Sequence, residues 1–325
     1  MWYPLKFEAR CKETIWGGRK LAGYYGKCSS SRPAGESWEL FDQSVIRNGG
    51  YAGRTLAELS HHTGAALVGD AVWQEHDTHF PLLFKFIDAA DRLSVQVHPE
   101  DAHARRLGYP CGKDEMWYII DAPPQASLIY GIKPDCSRSR LEAATAEGRI
   151  EHALVHVPVM AGDFLYIPAG TVHALTAGLF VAEIQQNCDI TFRLHDWGRV
   201  DPDGFPRTLH VREALDAIHY GSVLQRPVIE RCSRAGAVIH IGPAVKNFCT
   251  EHVALDGVLN AETHPGSFTV LMILSGSGTL HYRKGAEPLL SGETILLPAS
   301  LGAYLIEGSL TLLHTYHIDG KQTSD

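Results

Sequence analysis

Four residues of the sequence have the types and the spacing of a metal site: Gln96, His98, Glu115 and His173. Gln96 and His98 stand two apart in the run LSVQVHPE, where apolar and polar residues alternate. Side chains two residues apart leave the same face of a strand, so one strand can present both donors. Glu115 follows in GKDEMWY, and His173 in PAGTVHA completes the set. Nitrogen and oxygen donors without cysteine suit Zn²⁺, although Mn²⁺, Co²⁺ and Fe²⁺ also fit.

The segments that must position these residues are mostly short strands, separated by Gly, Pro, Asp or Ser. Strands are predicted over residues 92–98, 116–120, 164–167, 179–185, 238–241, 268–274, 278–282, 294–297 and 310–316. Helical periodicity predicts helices over residues 55–68, 101–107, 138–147 and 209–218. The pattern therefore predicts a mainly β, antiparallel protein with inserted helices.

Two segments share one plan and indicate two similar barrels in tandem. GDFLYIP at 162–168 and GETILLP at 292–298 each combine Gly, an acidic residue, four mostly apolar residues and Pro. The second segment has no histidine where the first has His173, so no metal is expected there. We predict a metal-binding domain with inserted helices over residues 1–225 and a metal-free barrel over 226–325.

The composition is that of a globular protein, with 325 residues, 45% hydrophobic and 20% charged. A formal net charge of −8 argues against nucleic acid or an anionic membrane as the main partner. The first residues lack a basic end followed by an apolar core, and no apolar run approaches the ~20 residues of a bilayer span. We expect a soluble, cytoplasmic protein, and the sequence does not indicate an oligomeric partner.

The seven cysteines are odd in number, scattered and nowhere spaced as C-x-x-C. This distribution disfavours both a disulfide framework and a thiolate metal site. Reduced thiols are therefore expected.

Several ordered motifs make the chain resemble the type I mannose-6-phosphate isomerases of the short bacterial form. They are PLKF at 4–7, ETIWGG at 13–18, GESWE at 35–39, FPLLFKFID at 80–88 and EIQQNCDITFRLHDW at 183–197, together with the three metal motifs. The last third of the chain is similar only in its general pattern. The resemblance implies tandem cupin (jelly-roll) barrels, one Zn²⁺ per chain and a small-molecule sugar phosphate as substrate.

The resemblance also implies roles for individual residues. The metal ligands of the family fall on Gln96, His98, Glu115 and His173. Its active-site arginine falls on Arg193, and other polar positions of its pocket fall on Lys85, Ser94, Lys113 and Glu183. Arg199 stands where longer members of the family carry a lysine.

The implied reaction, aldose–ketose isomerisation, moves a proton between C1 and C2 of an open-chain sugar through an enediol. A divalent cation lowers the barrier as a Lewis acid for the oxygens that become negative. The proton needs a base, and Lys113 and Glu183 are equally good candidates. The forked guanidinium of Arg193 also suits the phosphate. The residues predicted to assist it are Lys85, Ser94 and Arg199.

Other interpretations of the same residues stay open. His98, His173 and Glu115 also match the two-histidine, one-carboxylate set of an Fe²⁺-dependent cupin dioxygenase, although Gln96 as a fourth ligand disfavours it. A non-catalytic sugar-binding cupin is the other alternative, since fold does not fix function. A carboxylate such as Glu183 can also belong to a purely structural ion pair.

Overall fold

The computed structural model describes residues 2–201, 203–222, 227–234, 236–243, 245 and 248–317. The strands are β1 Leu5–Lys6, β2 Arg10–Gly18, β3 Ala34–Leu40, β4 Leu82–Ala89, β5 Val95–Val97, β6 Glu115–Asp121, β7 Ser127–Ile132, β8 Leu154–Pro158, β9 Phe164–Ile167, β10 His173–Ala174, β11 Leu179–Gln186, β12 Phe192–His195, β13 Glu230–Arg234, β14 Ala237–Ile241, β15 Phe248–Glu262, β16 Thr269–Tyr282, β17 Gly285–Leu290, β18 Thr294–Leu297 and β19 Ala303–His317. The helices are α1 Lys20–Tyr25, α2 Leu56–Thr63, α3 Ala65–Val68, α4 Asp70–His76, α5 Asp101–Arg106, α6 Arg138–Ala146 and α7 Val211–Ala217. Within these ranges, no helix has the length and apolar character that crossing a membrane requires.

The strands form three antiparallel sheets, which confirms the predicted mainly β class. The six-stranded sheet has the order β2-β3-β4-β11-β6-β9, and the five-stranded sheet has the order β12-β5-β10-β7-β8. The eight-stranded sheet runs β1-β18-β16-β19-β15-β14-β13, with β17 paired to β16. The six- and five-stranded sheets share one core, in which Trp117 and Val181 pack with Leu128 and Tyr130.

The central strands of the six-stranded sheet are buried on both faces, and strand alternation divides their residues between them. In β6, Met116 and Tyr118 belong to a core that includes α2–α4 and the eight-stranded sheet. Trp117 and Ile119 point the other way, into the core shared with the five-stranded sheet. Because Glu115 is two residues before Trp117, its carboxylate lies on that inner face.

The first strand of the chain belongs to the last sheet. Leu5 of β1 pairs with Leu296 of β18, and the ring of Phe80 lies 4.6 Å from that of Phe268, centroid to centroid. The beginning and the end of the chain are therefore joined through backbone pairing and a shared apolar core. The predicted boundary at 225/226 lies outside the described residues and stays a prediction.

Several predicted elements differ from the structure in extent or continuity. The helix predicted over 55–68 divides into α2 and α3 at Gly64, whose φ of +52° interrupts the helical path. The strands predicted over 268–274 and 278–282 are one strand, β16, with a register shift between Ile273 and Ser275. The strand predicted over 92–98 retains only Val95–Val97 as β5. In each case the hydrophobic pattern indicated the right type of element. Where the helix or strand is interrupted or continues was decided by the tertiary structure.

The expectation of reduced thiols is wrong for one pair of cysteines. Cys11 in β2 and Cys28 form a disulfide, with their Cα atoms 5.5 Å apart. The other five cysteines are free. Spacing along the chain could not reveal this pair, because its proximity results from the path of the chain through β2 and α1.

Candidate metal centre and its pocket

The predicted metal ligands come from two facing sheets. In the five-stranded sheet, Gln96 of β5 lies directly opposite His173 of β10, and His98 follows the end of β5. Glu115 begins β6 in the six-stranded sheet. Val95 and Val97 pack on the outer face of the five-stranded sheet. The alternation in β5 therefore turns Gln96 inward.

Three donors converge on one point between the sheets. The Nε2 atom of His98 lies 3.2 Å from Glu115 Oε1, and the Nε2 atom of His173 lies 3.4 Å from Glu115 Oε2. The donor atoms of the three residues all lie within 4.8 Å of one another, and all three side chains are buried. The sequence placed these residues in one site, and the structure brings them together.

Backbone carbonyls fix the orientation of both imidazoles. His98 donates from Nδ1 to the carbonyl oxygen of Ile190 over 2.7 Å, and His173 donates from Nδ1 to that of Thr171 over 2.9 Å. Each Nε2 atom is then left unprotonated and faces the centre. Burial lowers the pKa of both imidazoles, that of His98 to about 3, which favours the neutral form that a metal requires.

Glu115 supplies the negative charge of the centre. Its carboxylate is completely buried, and beside the ion pair of Oε1 with Lys113, neither oxygen has a well-aligned hydrogen bond within the described part of the chain. Burial by itself would raise the pKa of Glu115, but the Lys113 ammonium, 2.8 Å from Oε1, holds that pKa well below its usual range. An ionised carboxylate with free lone pairs beside two aligned imidazole nitrogens fits a divalent cation.

Gln96 is adjacent to these donors, but its amide nitrogen points toward them. Its Nε2 atom lies 3.3 Å from His173 Nε2, while its Oε1 atom lies 3.4 Å from the Ser94 hydroxyl. Ligation through Oε1 therefore requires the amide to rotate by half a turn. The centre consists of three converged donors with a fourth, Gln96, next to them.

A polar cavity of about 160 Å³ adjoins the centre. The predicted site residues that line it are Lys85, Ser94, Gln96, Lys113, Glu183 and Arg193. Gln96 and Lys113 connect it to the centre, since they contact His173 and Glu115 respectively. Arg199 is not among the lining residues. Its guanidinium instead makes a 2.6 Å contact with Asp196.

Lys85 and Glu183 form a buried ion pair on the inner face of the six-stranded sheet. They lie opposite each other in neighbouring strands, with Lys85 Nζ 2.9 Å from Glu183 Oε1. The indole of Trp117 donates to the other oxygen over 2.8 Å. Burial raises the pKa of Glu183, and the charge of Glu115 raises it further. Glu183 is thus fixed in position and easier to protonate than an ordinary glutamate.

An arginine pair gives the cavity a positive wall. Arg193 lines the cavity, donates to the carbonyl oxygen of Thr208 over 2.8 Å, and has a buried Nε without a hydrogen bond in the described region. Burial lowers the pKa of Arg193, and the nearby charge of Arg207 lowers it further. Arg207 is held by Asp196, whose Oδ2 accepts from its Nε over 2.7 Å. Two guanidinium groups close together favour an anion between them.

Glu36 and Arg207 are among the charged lining residues that were missed in the sequence. Glu36 stands in the GESWE motif, and its place on the same strand face as Trp38 was available from alternation. Nothing in the sequence around Arg207 marks it as a pocket residue. It enters the site because Asp196 binds its guanidinium.

Comparison with known proteins shows the family of the chain. The family model for the type I phosphomannose isomerase catalytic domain matches residues 5–122, and that for the mannose-6-phosphate isomerase cupin domain matches residues 240–317. Mannose-6-phosphate isomerase ManA of Bacillus subtilis is 34% identical over 94% of this chain and 96% of its own length. The chain belongs to the type I phosphomannose isomerase family. A Streptococcus mutans mannose-6-phosphate isomerase is 32% identical over 96% of this chain and 98% of its own length.

Solved structures of the family share the whole fold. The crystal structure of the Bacillus subtilis mannose 6-phosphate isomerase is 33% identical and gives a TM-score of 0.87, covering 97% of this chain and 99% of that one. A zinc-bound mannose 6-phosphate isomerase, 18% identical, gives a TM-score of 0.76 over 97% of this chain and 99% of its own. The predicted family and cupin fold are confirmed.

Replacing Glu115 tests the metal centre. We expect Glu115→Gln to bind one equivalent of zinc fewer per chain than the wild type, because the amide keeps the shape of the side chain and removes its charge. Metal content after dialysis against Zn²⁺ measures this. Glu151→Gln is the matched control, since Glu151 is an exposed glutamate paired with Arg92. Equal zinc content in Glu115→Gln and the wild type would exclude Glu115 as a ligand.

Proposed function

We propose that this chain interconverts mannose 6-phosphate and fructose 6-phosphate, with one Zn²⁺ at the centre formed by His98, Glu115 and His173. The chain is an enzyme, an intramolecular aldose–ketose isomerase. The observation that carries the proposal is the location of this centre beside a cavity that also holds Glu183 and an arginine pair. Relatives that are 34% and 32% identical bear the name of this activity.

The cavity provides what an isomerase of a sugar phosphate needs. His98, Glu115 and His173, with Gln96 as the fourth ligand, would hold a divalent ion, which would supply a Lewis acid for the negative charge that develops on the sugar oxygens. The cavity wall is polar and charged, with lysine, arginine and glutamate side chains. Such a wall suits an anionic polyol and disfavours the apolar substrate expected of an iron dioxygenase.

Glu183 is the base that we assign to the proton transfer between C1 and C2. Its carboxylate lines the cavity, and its raised pKa is closer to neutrality, where a general base is most efficient. Lys85 and Trp117 hold its two oxygens and so orient it. Lys113 is the competing candidate, because it also lines the cavity, but its ammonium is engaged by Glu115.

The phosphate is assigned to Arg193 and Arg207, with the Ser94 hydroxyl as an additional donor from the wall. Lys85 and Arg199, both predicted to bind phosphate, have other partners in the structure, namely Glu183 and Asp196. We assign them to positioning: Lys85 orients the base, and Arg199 shares Asp196 with Arg207. A cytoplasmic location is part of the same proposal.

A coupled assay of fructose 6-phosphate formation tests the function. We expect the purified protein to convert mannose 6-phosphate, to lose activity when a chelator removes its metal, and to recover it when Zn²⁺ is added back. Protein treated with the zinc-saturated chelator is the control. Absence of turnover in the zinc-loaded protein would refute the proposed reaction.

The pH dependence of the Glu183→Gln variant separates the two candidate bases. If Glu183 is the base, its loss lowers kcat by about 10²- to 10⁴-fold. In the wild type, activity should fall as the pH drops through the raised pKa of Glu183, since the protonated acid cannot accept the substrate proton. The variant should lack this acidic limb.

Glu36→Gln is the matched control for this experiment. Glu36 is a half-buried carboxylate of the same cavity, 3.9 Å from Lys85. Its substitution should leave the acidic limb of the pH profile in place. An unchanged kcat and pH profile in Glu183→Gln would assign the base to Lys113 instead.

Arginine substitutions test the phosphate subsite. We expect Arg207→Ala to raise the KM for mannose 6-phosphate and the inhibition constant of inorganic phosphate by about 10- to 100-fold, the typical loss for one charge-assisted hydrogen bond. Arg199→Ala should change both constants by less than about 5-fold, because it acts only through Asp196. A larger effect of Arg199→Ala than of Arg207→Ala would instead assign phosphate binding to Arg199.

A further inference from the structure

A second cluster of metal-type donors lies outside the isomerase pocket. Glu75 and His76 end helix α4, and His317 ends strand β19. The Glu75 Oε2 atom lies 3.8 Å from His76 Nε2 and 3.7 Å from His317 Nε2. The three donor atoms lie within 4.8 Å of one another, as do those of His98, Glu115 and His173.

The two spacings from Glu75 are close to those of a zinc site and too long for hydrogen bonds. Four donors at ~2.0–2.2 Å from a tetrahedral Zn²⁺ are separated from each other by roughly 3.3–3.6 Å. Contacts of 3.7 and 3.8 Å need to shorten by only a few tenths of an ångström to reach that range, but they are too long for hydrogen bonds. The Nε2 atom of His76 is buried and makes no hydrogen bond within the described residues. It is therefore available to an ion.

The backbone holds the two elements of the cluster against the same loop. Asp70, the first residue of α4, donates its N–H to the carbonyl oxygen of Pro265 over 3.0 Å, and His317 donates its N–H to the Ser267 hydroxyl over 2.9 Å. A Cβ atom at Gly69 would lie 2.2 Å from the Ser267 nitrogen, so only glycine permits this approach. The donors of α4 and β19 are positioned before any ion binds, which reduces the entropic cost of binding.

The surroundings of the cluster favour a cation. It borders a cavity of about 260 Å³, whose charged and ionisable residues include Asp42, Glu75, His76, His79, Asp101 and Arg105. This set contains three carboxylates and one arginine, so negative side chains outnumber positive ones. The exposed fraction of the side chain falls from 47% at Glu75 to 1% at His317. An ion can therefore enter from the cavity and keep one position open to water.

We propose that Glu75, His76 and His317 bind a second Zn²⁺. Two imidazoles and one carboxylate suit zinc better than the oxygen-seeking Mg²⁺ or Ca²⁺. None of the three residues lines the isomerase cavity, and the ion joins α4 to the last described residue of the eight-stranded sheet. Its role is to clamp these two elements together. The C-terminal region, predicted to be metal-free, contributes one ligand.

Zinc content of the full-length protein after equilibrium dialysis tests the site. We expect two equivalents per chain in the wild type and one in His76→Gln and in Glu75→Gln, with isomerase activity retained in both variants. His79→Gln is the matched control, because His79 lines the same cavity but lies outside the donor cluster. It should keep two equivalents.

A second measurement separates this site from the isomerase centre. In the Glu115→Gln background, Zn²⁺ at about 100 times its Kd should raise the Tm by about 5 °C, and the additional His76→Gln substitution should abolish that rise. If the isomerase centre alone failed to bind zinc, Glu115→Gln would leave the zinc content unchanged while His76→Gln still removed one ion. An unaltered zinc content in both His76→Gln and Glu75→Gln would refute the second site.

Discussion

Compensation of buried charge is the constraint on which the rest of this molecule depends. The space between the six- and five-stranded sheets contains ionised side chains, and an uncompensated charge in such a place is strongly destabilising. Glu115 is balanced by Lys113, and Glu183 by Lys85. The Lys85–Glu183 pair requires β4 and β11 to be held in one register, because a slip by one residue would turn one of its side chains to the other face. The isomerase site is therefore also a condition for correct sheet pairing.

Hydrogen bonds to the loops around the site fix its neutral side chains as well. The carbonyl oxygens of Ile190 and Thr171 receive the Nδ1 protons of His98 and His173, which leaves the opposite nitrogens directed at Glu115. On the far side of the cavity, Asp196 binds two guanidinium groups and so fixes their orientation. Backbone and carboxylate acceptors outside the pocket thus determine what the pocket residues present to a substrate.

The eight-stranded sheet contributes to the site indirectly. Its apolar residues share a core with α2–α4 and with the outer face of the six-stranded sheet. That face carries Phe84 and Phe86, whose strand neighbour Lys85 points into the cavity. Packing of the last sheet therefore holds the strand that positions the base. The same contact brings the end of α4 beside the end of β19, where the second donor cluster forms.

The sequence by itself determined what depends on local periodicity. Alternation around Gln96 and His98 assigned both to one strand face, the motifs around Glu115 and His173 completed the proposed ligand set, and the strand pattern predicted the mainly β class. Tertiary structure alone decided the break at Gly64, the Cys11–Cys28 disulfide and the different positions of Arg199 and Arg207 relative to the cavity. Arg199 and Arg207 carry the same charge a few residues apart, and only the position of Asp196 places one in the cavity wall and the other behind it. The physical reason is that periodicity is a property of neighbouring residues, whereas the meeting of side chains from distant strands depends on sheet register and on packing between sheets.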